Sequence, residues 1–390
     1  MLSRAAWRSR LAGIIEVDGN SNMKIVDLFR SKVMELPRAR PSGDFEVFLD
    51  DMFNKYVEEI KKLEGNDPTS TSIRNSLPDI INLCNCLRNV VRTYFKGITH
   101  DAFEHFRVGV ENIAVRRCLE NLESVGDISP HLQSLYRIRC GTLEWFKRKD
   151  IFHIPFELRH KVATQRYSIP GLPALYLGGS LWICWEELGR PDFHTMQLSQ
   201  FRPTKGSKIK LLNFGYPPAM IPDTGVIHAA QSMGLSKSGL YVISYIVCWP
   251  IIAACSIKVH NPRSPFIPEY IVPQLLIQWL QAMHKLDGLR YFSTIIEQSP
   301  SDPEAMMNYV FPVKTIAPKR YCKILRNKFE LTSPVAWSIL TQAEIPRGIM
   351  IGAGSWKMPL TQDESVIYSI TEFFQCESKL KVLKFAKVRI

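Results

Sequence analysis

Several things are missing from these 390 residues. No run of about 18 apolar residues occurs, so a membrane-spanning helix is not expected. The longest apolar stretch, Tyr241 to Ile257, is interrupted by Pro250 and rich in β-branched residues. It reads as one or two buried strands. Zinc-ligand spacing is missing too. The nine cysteines, an odd number, include the close pair Cys84 and Cys86 and no second pair to match it, which argues against a structural zinc site. Most of the others sit among apolar residues: Cys184 in LWICWEEL, Cys248 in VISYIVCWP, Cys255 in IIAACSI. Such thiols read as reduced and buried, so a soluble protein of the cytoplasm is expected. No acid precedes Glu16, and MLSRAAWRSRLAG lacks the long apolar core of a secretory signal. It reads as a frayed basic tail rather than a transit peptide. There is no internal repeat and no low-complexity segment.

What is present is the composition of a protein with a real core: 46% hydrophobic and 22% charged residues. The net charge of +12 suits an anionic partner: nucleic acid, a membrane surface or a phosphorylated small molecule. The basic residues are scattered, however. Their densest clusters are Lys147-Arg148-Lys149 and the tail Lys379, Lys381, Lys384, Lys387, Arg389. No helix-turn-helix, zinc finger or RNA-binding aromatic motif accompanies them, so neither nucleic acid nor a membrane is the expected partner.

The chain divides into four stretches. Residues 1–40 are a basic lead-in. Residues 41–125 are helical: Phe45, Phe48, Leu49, Met52, Phe53, Tyr56, Val57 and Ile60 recur at three and four. Ser76-Leu77-Pro78 opens a second helix, and Asp101 can cap a third that runs on to Leu122. Asn66 to Ser72 is a loop. Residues 126–330 alternate strands and turns, with strands at Ser134–Cys140, Ala174–Leu177, Lys208–Asn213 and Gly288–Ser293, and helices at Ser180–Gly189 and Pro268–Lys285. Residues 331–390 extend this α+β part, ending in a helix and a basic strand or tail from Asp363 to Ile390.

Three places carry chemistry. In Leu135-Tyr136-Arg137-Ile138-Arg139, strand alternation puts Arg137 and Arg139 on one face, a pair of guanidinium forks suited to phosphate or to a salt-bridged edge. In Thr164 to Ser180, Pro170-Gly171 turns the chain, Ala174-Leu175-Tyr176-Leu177 enters a strand, Gly178-Gly179 ends it, and Ser180 caps a helix. Glu186 and Glu187 on that helix point about 100° apart, so one can enter a cleft while the other stays in water. Downstream, Gly288-Leu289-Arg290-Tyr291-Phe292-Ser293-Thr294 is a strand ending in hydroxyls. His153, in Phe152-His153-Ile154-Pro155-Phe156-Glu157, sits among apolar neighbours and reads as structural rather than as a general base. Arg159 and His160 stay open.

An arginine-bearing strand, an Arg-aromatic segment running through Gly-x-Pro and Leu-Tyr to a serine-capped helix with a glutamate, and a later strand with a serine resemble the RES family, especially its longer members. The resemblance covers roughly residues 130–320 and implies an ADP-ribosyltransferase-like split β-core with surrounding helices, here preceded by the N-terminal helical region. It implies an enzyme that degrades NAD by cleaving the nicotinamide–ribose bond, with water or phosphate as acceptor, and the habits of a toxin or defence effector. NAD is then a substrate, phosphate an optional co-substrate, and no bound cofactor or metal is needed. The residues that match are Glu187 for the oxocarbenium charge, Arg137 and Arg166 for the pyrophosphate, Tyr167 as an aromatic face, and Ser293 to hold the ribose or orient an acceptor. A neutralising or activating protein and a homo-oligomer are allowed. The alternatives are ADP-ribosylation of a macromolecule and a non-catalytic nucleic-acid-binding module.

Overall fold

A computed structural model describes residues 23–125, 134–141, 145–222, 237–283, 285–296, 303–343, 357–360 and 364–388. The basic tail through residue 22 lies outside them, as do Asp363 and the last two residues.

The helical part begins as its periodicity requires. Helix α1 (Phe45–Lys61) is capped by Asp44, whose carboxylate accepts from the N–H groups of Glu46 and Val47, and it buries Phe45, Leu49, Met52, Phe53, Tyr56 and Ile60. The expected loop after it is a helix instead, α2 (Pro68–Asn75). Asp67 caps it and Pro68 pre-sets its first turn, but its buried face is Thr69, Ser70 and Ile73, so hydrophobic spacing did not reveal it. Helix α3 spans Leu77–Phe95. The expected third helix is two: α4 (Thr99–Glu111) and α5 (Ile113–Asn121). Asp101 lies inside the first turn of α4 rather than at its cap. Asn112 breaks the run, its side-chain oxygen accepting from Ala114 and Val115 N–H.

The largest correction concerns the apolar stretch read as strand. It is helix α7 (Lys237–Cys255), which follows α6 (Leu181–Glu187). Its segment Ser238–Cys255 has mean hydropathy 1.8, long and apolar enough to cross a membrane by length and composition alone, yet 83% of it is buried inside the fold. A helix apolar on all sides suits such a place at the centre of a large core. The β-branched residues misled the reading because burial on every face removes the amphipathic period.

Pro250 is tolerated there for an identifiable reason. A proline within a helix removes the N–H that the carbonyl four residues earlier would accept. That carbonyl is Ile246 O, and the Tyr56 hydroxyl donates to it at 2.6 Å. The Tyr56 ring also stacks on Trp249, with centroids 4.1 Å apart. One continuous cluster of buried residues therefore runs from α1 and α3 through α7 and helix α8 (Ile271–Ala282) onto the sheet, where it takes in Leu212, Phe214, Leu289, Phe292 and Val310.

The sheet strands are β1 (Glu123–Val125), β2 (Leu135–Cys140), β3 (Ala174–Gly178), β4 (Met196–Pro203), β5 (Lys210–Phe214), β6 (Gly288–Phe292), β7 (Met307–Pro312) and β8 (Phe329–Leu331). Their spatial order is β8-β4-β2-β3-β7-β6-β5-β1, antiparallel except for β5 beside β6, with Val335–Ala336 pairing β4 as well. The chain is thus a mixed-sheet α+β protein. Strand β4 had not been anticipated: its Gln197, Ser199 and Gln200 are buried, which disguised it. The C-terminal helix α9 (Glu372–Lys381) packs with Trp337 and Leu340 on the β2–β4 side, and Ala386 bridges to Leu331 of β8.

The Tyr56 contact is directly testable. Tyr56→Phe strands the Ile246 carbonyl and should cost about 1–3 kcal/mol in urea unfolding. In a Pro250→Ala background, which restores the helical N–H, the same change should cost much less. Equal losses in both backgrounds would refute the assignment.

Candidate active site

The sheet parts at one place. Strand β3 pairs with β7 along its whole length, from Ala174 opposite Pro312 to Gly178 opposite Asn308. With β2 it pairs, among the described residues, at Tyr136 opposite Gly178 alone. A cleft of about 610 Å³ opens beside this parting, lined by Arg137, Arg166, Tyr176, Glu187, Tyr270, Tyr291 and Asn308, among others.

Helix α6 brings Glu187 to the cleft. Ser180 starts the helix: its hydroxyl donates to Ala305 O and accepts from Ile183 N–H. The buried Glu377 of α9 adds a second cap, accepting from Leu181 N–H at 2.7 Å and from the Tyr368 hydroxyl at 2.6 Å. A carboxylate there also suits the positive end of the helix. The helix sits hard against β3: a Cβ on Gly178 would lie 2.6 Å from Cys184 Sγ and 2.7 Å from Ile183 Cγ2, so only glycine permits this approach.

The Glu187 carboxylate is held from two strands. Ser293 Oγ donates to its Oε1 at 2.7 Å, and Asn308 Nδ2 donates to the same oxygen at 2.8 Å. By surface area the residue is exposed, with its side chain open to the cleft. Desolvation by the protein atoms crowded round its carboxyl end raises its pKa above the ordinary carboxylate value, opposed by the Ser293 hydrogen bond, the charge of Arg166 and the Asn308 hydrogen bond. Glu186 does not stay in water as its neighbour enters the cleft. It is buried and accepts from Arg190 Nε at 2.9 Å.

The two arginines are fixed before any ligand arrives. Arg137 donates to Tyr176 O across the parted strands at 3.1 Å. Burial pulls its pKa down to about 10, with like charge on Arg139 contributing, so it stays cationic at neutral pH. Arg166 donates to Cys255 O and to Thr294 Oγ1, both at 3.1 Å, and lies over the Tyr270 ring at 5.3 Å. Arg139, its rival in the sequence, is exposed. It donates to Asp150 O, lies over Phe146, and is not part of the cleft lining.

Two expected roles change. Tyr167 offers no face to the cleft. It is 1% exposed and packs on Tyr291, centroids 4.6 Å apart, so it supports a cleft residue instead. Ser293 is fully buried, lies outside the cleft lining and donates its hydroxyl to Glu187, so it is not placed to meet a ribose. Tyr176, Tyr270, Tyr291 and Asn308 were not singled out from sequence. For Tyr176 the signal was strand alternation, with Leu175 and Leu177 turned into the core. Asn308, a polar residue opening an otherwise apolar strand, was a weaker one. Nothing local marks Tyr270.

His153 is structural. Its ring is 1% exposed, Nδ1 donates to Ile154 O, and Nε2 accepts from Cys322 N–H at 2.9 Å, so both nitrogens are satisfied in the neutral form. Burial pushes its pKa from 6.5 down to about 4. Between those values the unfolded chain binds the extra proton. The contribution is therefore complete above pH 6.5 and is lost as pH falls toward 4, to the extent of roughly 3 kcal/mol. Urea unfolding from pH 4 to 7 should show this slope in the native chain, and His153→Ala, less stable at pH 7, should lack it. Arg159 bonds locally to Phe156 O and takes no part in the cleft; His160, in the same turn, is not in its lining either.

No family model and no solved structure matches the chain. A Bacillus subtilis (strain 168) protein named "Putative toxin YopC" is 30% identical to it over 308 residues, spanning 78% of this chain and 68% of that protein. At that identity and coverage, the chain belongs to the family of that toxin-named protein.

Proposed function

We propose that the cleft binds NAD and breaks its nicotinamide–ribose bond, passing the ribosyl group to water or phosphate, and that this activity underlies a toxin-like role. The observation that carries the reading is the Glu187 carboxylate, fixed by Ser293 and Asn308 in a cleft that also holds Arg137 and Arg166. Cleaving an N-glycosidic bond builds positive charge on the ribose. A carboxylate already oriented, with its bonds made to protein instead of mobile water, stabilises that charge without reorganising. Arg137 and Arg166 supply fixed cations for the pyrophosphate. Tyr176, Tyr270 and Tyr291 supply aromatic surface for the rings. The resemblance to RES enzymes agrees with this arrangement, as does the parting of β2 from β3, which is the kind of break a split ADP-ribosyltransferase-like core would have. The toxin named among its relatives supports a toxin-like role. A cytoplasmic site of action, where NAD is abundant, belongs to the same proposal.

The test is nicotinamide release from NAD by the purified chain, with and without phosphate, beside Glu187→Gln. The variant should lose about 100- to 1,000-fold in kcat with little change in KM, the pattern of a group acting in the transition state. It should also fold at least as stably at pH 7, because ionising a carboxylate whose folded pKa is raised costs stability above its unfolded pKa. Release of nicotinamide with label appearing on a macromolecule would replace the acceptor. A native chain that releases none would overturn the reading.

The pH profile supplies an independent check. Glu187 must be ionised to act, and its pKa lies above the carboxylate norm. Activity should therefore fall on the acid side at a higher pH than for an ordinary glutamate. Ser293→Ala removes a donor to the ionised form, so its acid limb should move further up in pH. An unmoved limb would show that Ser293 does not position the carboxylate.

A further inference from the structure

The cleft holds more positive charge than a pyrophosphate requires. Among the described residues its lining adds Lys161 and Lys258 to Arg137 and Arg166, against the single carboxylate Glu187. Four cations and one anion leave a net +3. The lysines come from two segments that the arginine ties together, the 3-10 helix Phe156–Lys161 and the short strand Ile257–Lys258: Arg166 donates to Cys255 O, three residues before Lys258, while Lys161 lies five residues before Arg166. The second segment is anchored further. Ile257 and Lys258 pair with Arg38 and Ala39, and the buried Glu269 takes Arg40 Nε at 2.8 Å and His260 N–H at 3.2 Å. Among the described residues neither lysine has a carboxylate partner, and both side chains are exposed at the cleft. They are cations on an anchored frame, with no carboxylate among the described residues to neutralise them.

We propose that Lys161 and Lys258 form a further phosphate subsite, so that the cleft prefers the 2′-phosphorylated dinucleotide, NADP, to NAD. This rests on the reading of the cleft as an NAD-cleaving site and names its substrate more narrowly. The charges match. NAD carries about −1 at neutral pH, its two pyrophosphate charges offset by the nicotinamide ring. NADP adds a phosphate monoester of about −1.5 to −2 and so approaches −3. The arginines, already hydrogen-bonded and partly buried, suit the pyrophosphate near the reacting bond. The exposed lysines suit a dianion at the mouth, as point charges without a directional fork.

Two measurements test this. The first is kcat/KM for NAD and for NADP, by nicotinamide release, in the native chain, in Lys161→Gln/Lys258→Gln and in Lys161→Arg/Lys258→Arg. The second is the Kd of each dinucleotide for the Glu187→Gln chain, which reads the subsite without turnover. NADP should be favoured about ten-fold, the size of one charge-assisted contact. The glutamine pair should erase that ratio and the arginine pair should keep it. Salt should weaken the preference, because exposed charges are screened over about 8 Å at physiological ionic strength. Cleavage of both dinucleotides at equal rates, with a ratio that the lysine variants leave unmoved, would overturn the subsite while leaving NAD cleavage standing. So would lysine variants that alter only the dependence on free phosphate, which would assign the lysines to a free-phosphate acceptor. Cleavage of neither would overturn the underlying reading instead.

Discussion

Burying α7 is the constraint on which the rest of the molecule depends. A helix apolar on every side must be covered on every side, and no single neighbour can do that. The N-terminal helices cover part of it, α8 another, and the shared core reaches the sheet through Leu212, Leu289 and Val310. Pro250 adds a polar debt within that core, since a carbonyl left unbonded there would lose its hydrogen bond with water and gain nothing. Tyr56 answers it from α1. The helical region that looked chemically silent is therefore bound to the rest of the fold by a hydrogen bond as well as by packing.

The cleft follows from this arrangement. With β6 and β7 fixed beneath the core, Ser293 and Asn308 are placed to meet a carboxylate from α6, and α6 is set by Ser180, by Glu377 and by the missing side chain of Gly178. Each contact is local and ordinary. Together they hold one carboxylate where desolvation disfavours its charge. A group in that condition weakens the fold slightly, and groups of that kind gather at functional sites. The positive charge along the cleft has the same character, because like charges gathered on one lining repel one another.

What the sequence by itself determined were features written in neighbouring residues. Helix α1 followed from its three-and-four spacing, the serine cap at Ser180 from the turn before it, the β3 strand over Ala174 to Leu177 from the turn and the glycines that bound it, and Glu187 as the cleft carboxylate from its place in a recognisable segment. Failures arose where a local signal was blurred. In α7 uniform burial removed periodicity; in α2 and β4 buried polar residues mimicked loop. Tertiary structure alone decided the partners. It put Arg137 on the cleft and Arg139 in solvent although both share a strand, turned Tyr167 inward behind Tyr291, spent Ser293 on Glu187, and brought Tyr270 over to Arg166 from a hundred residues away. The physical reason is range: propensity, capping and turn chemistry act over a few residues, whereas hydrogen bonds, desolvation and charge act across space that only the folded chain brings together.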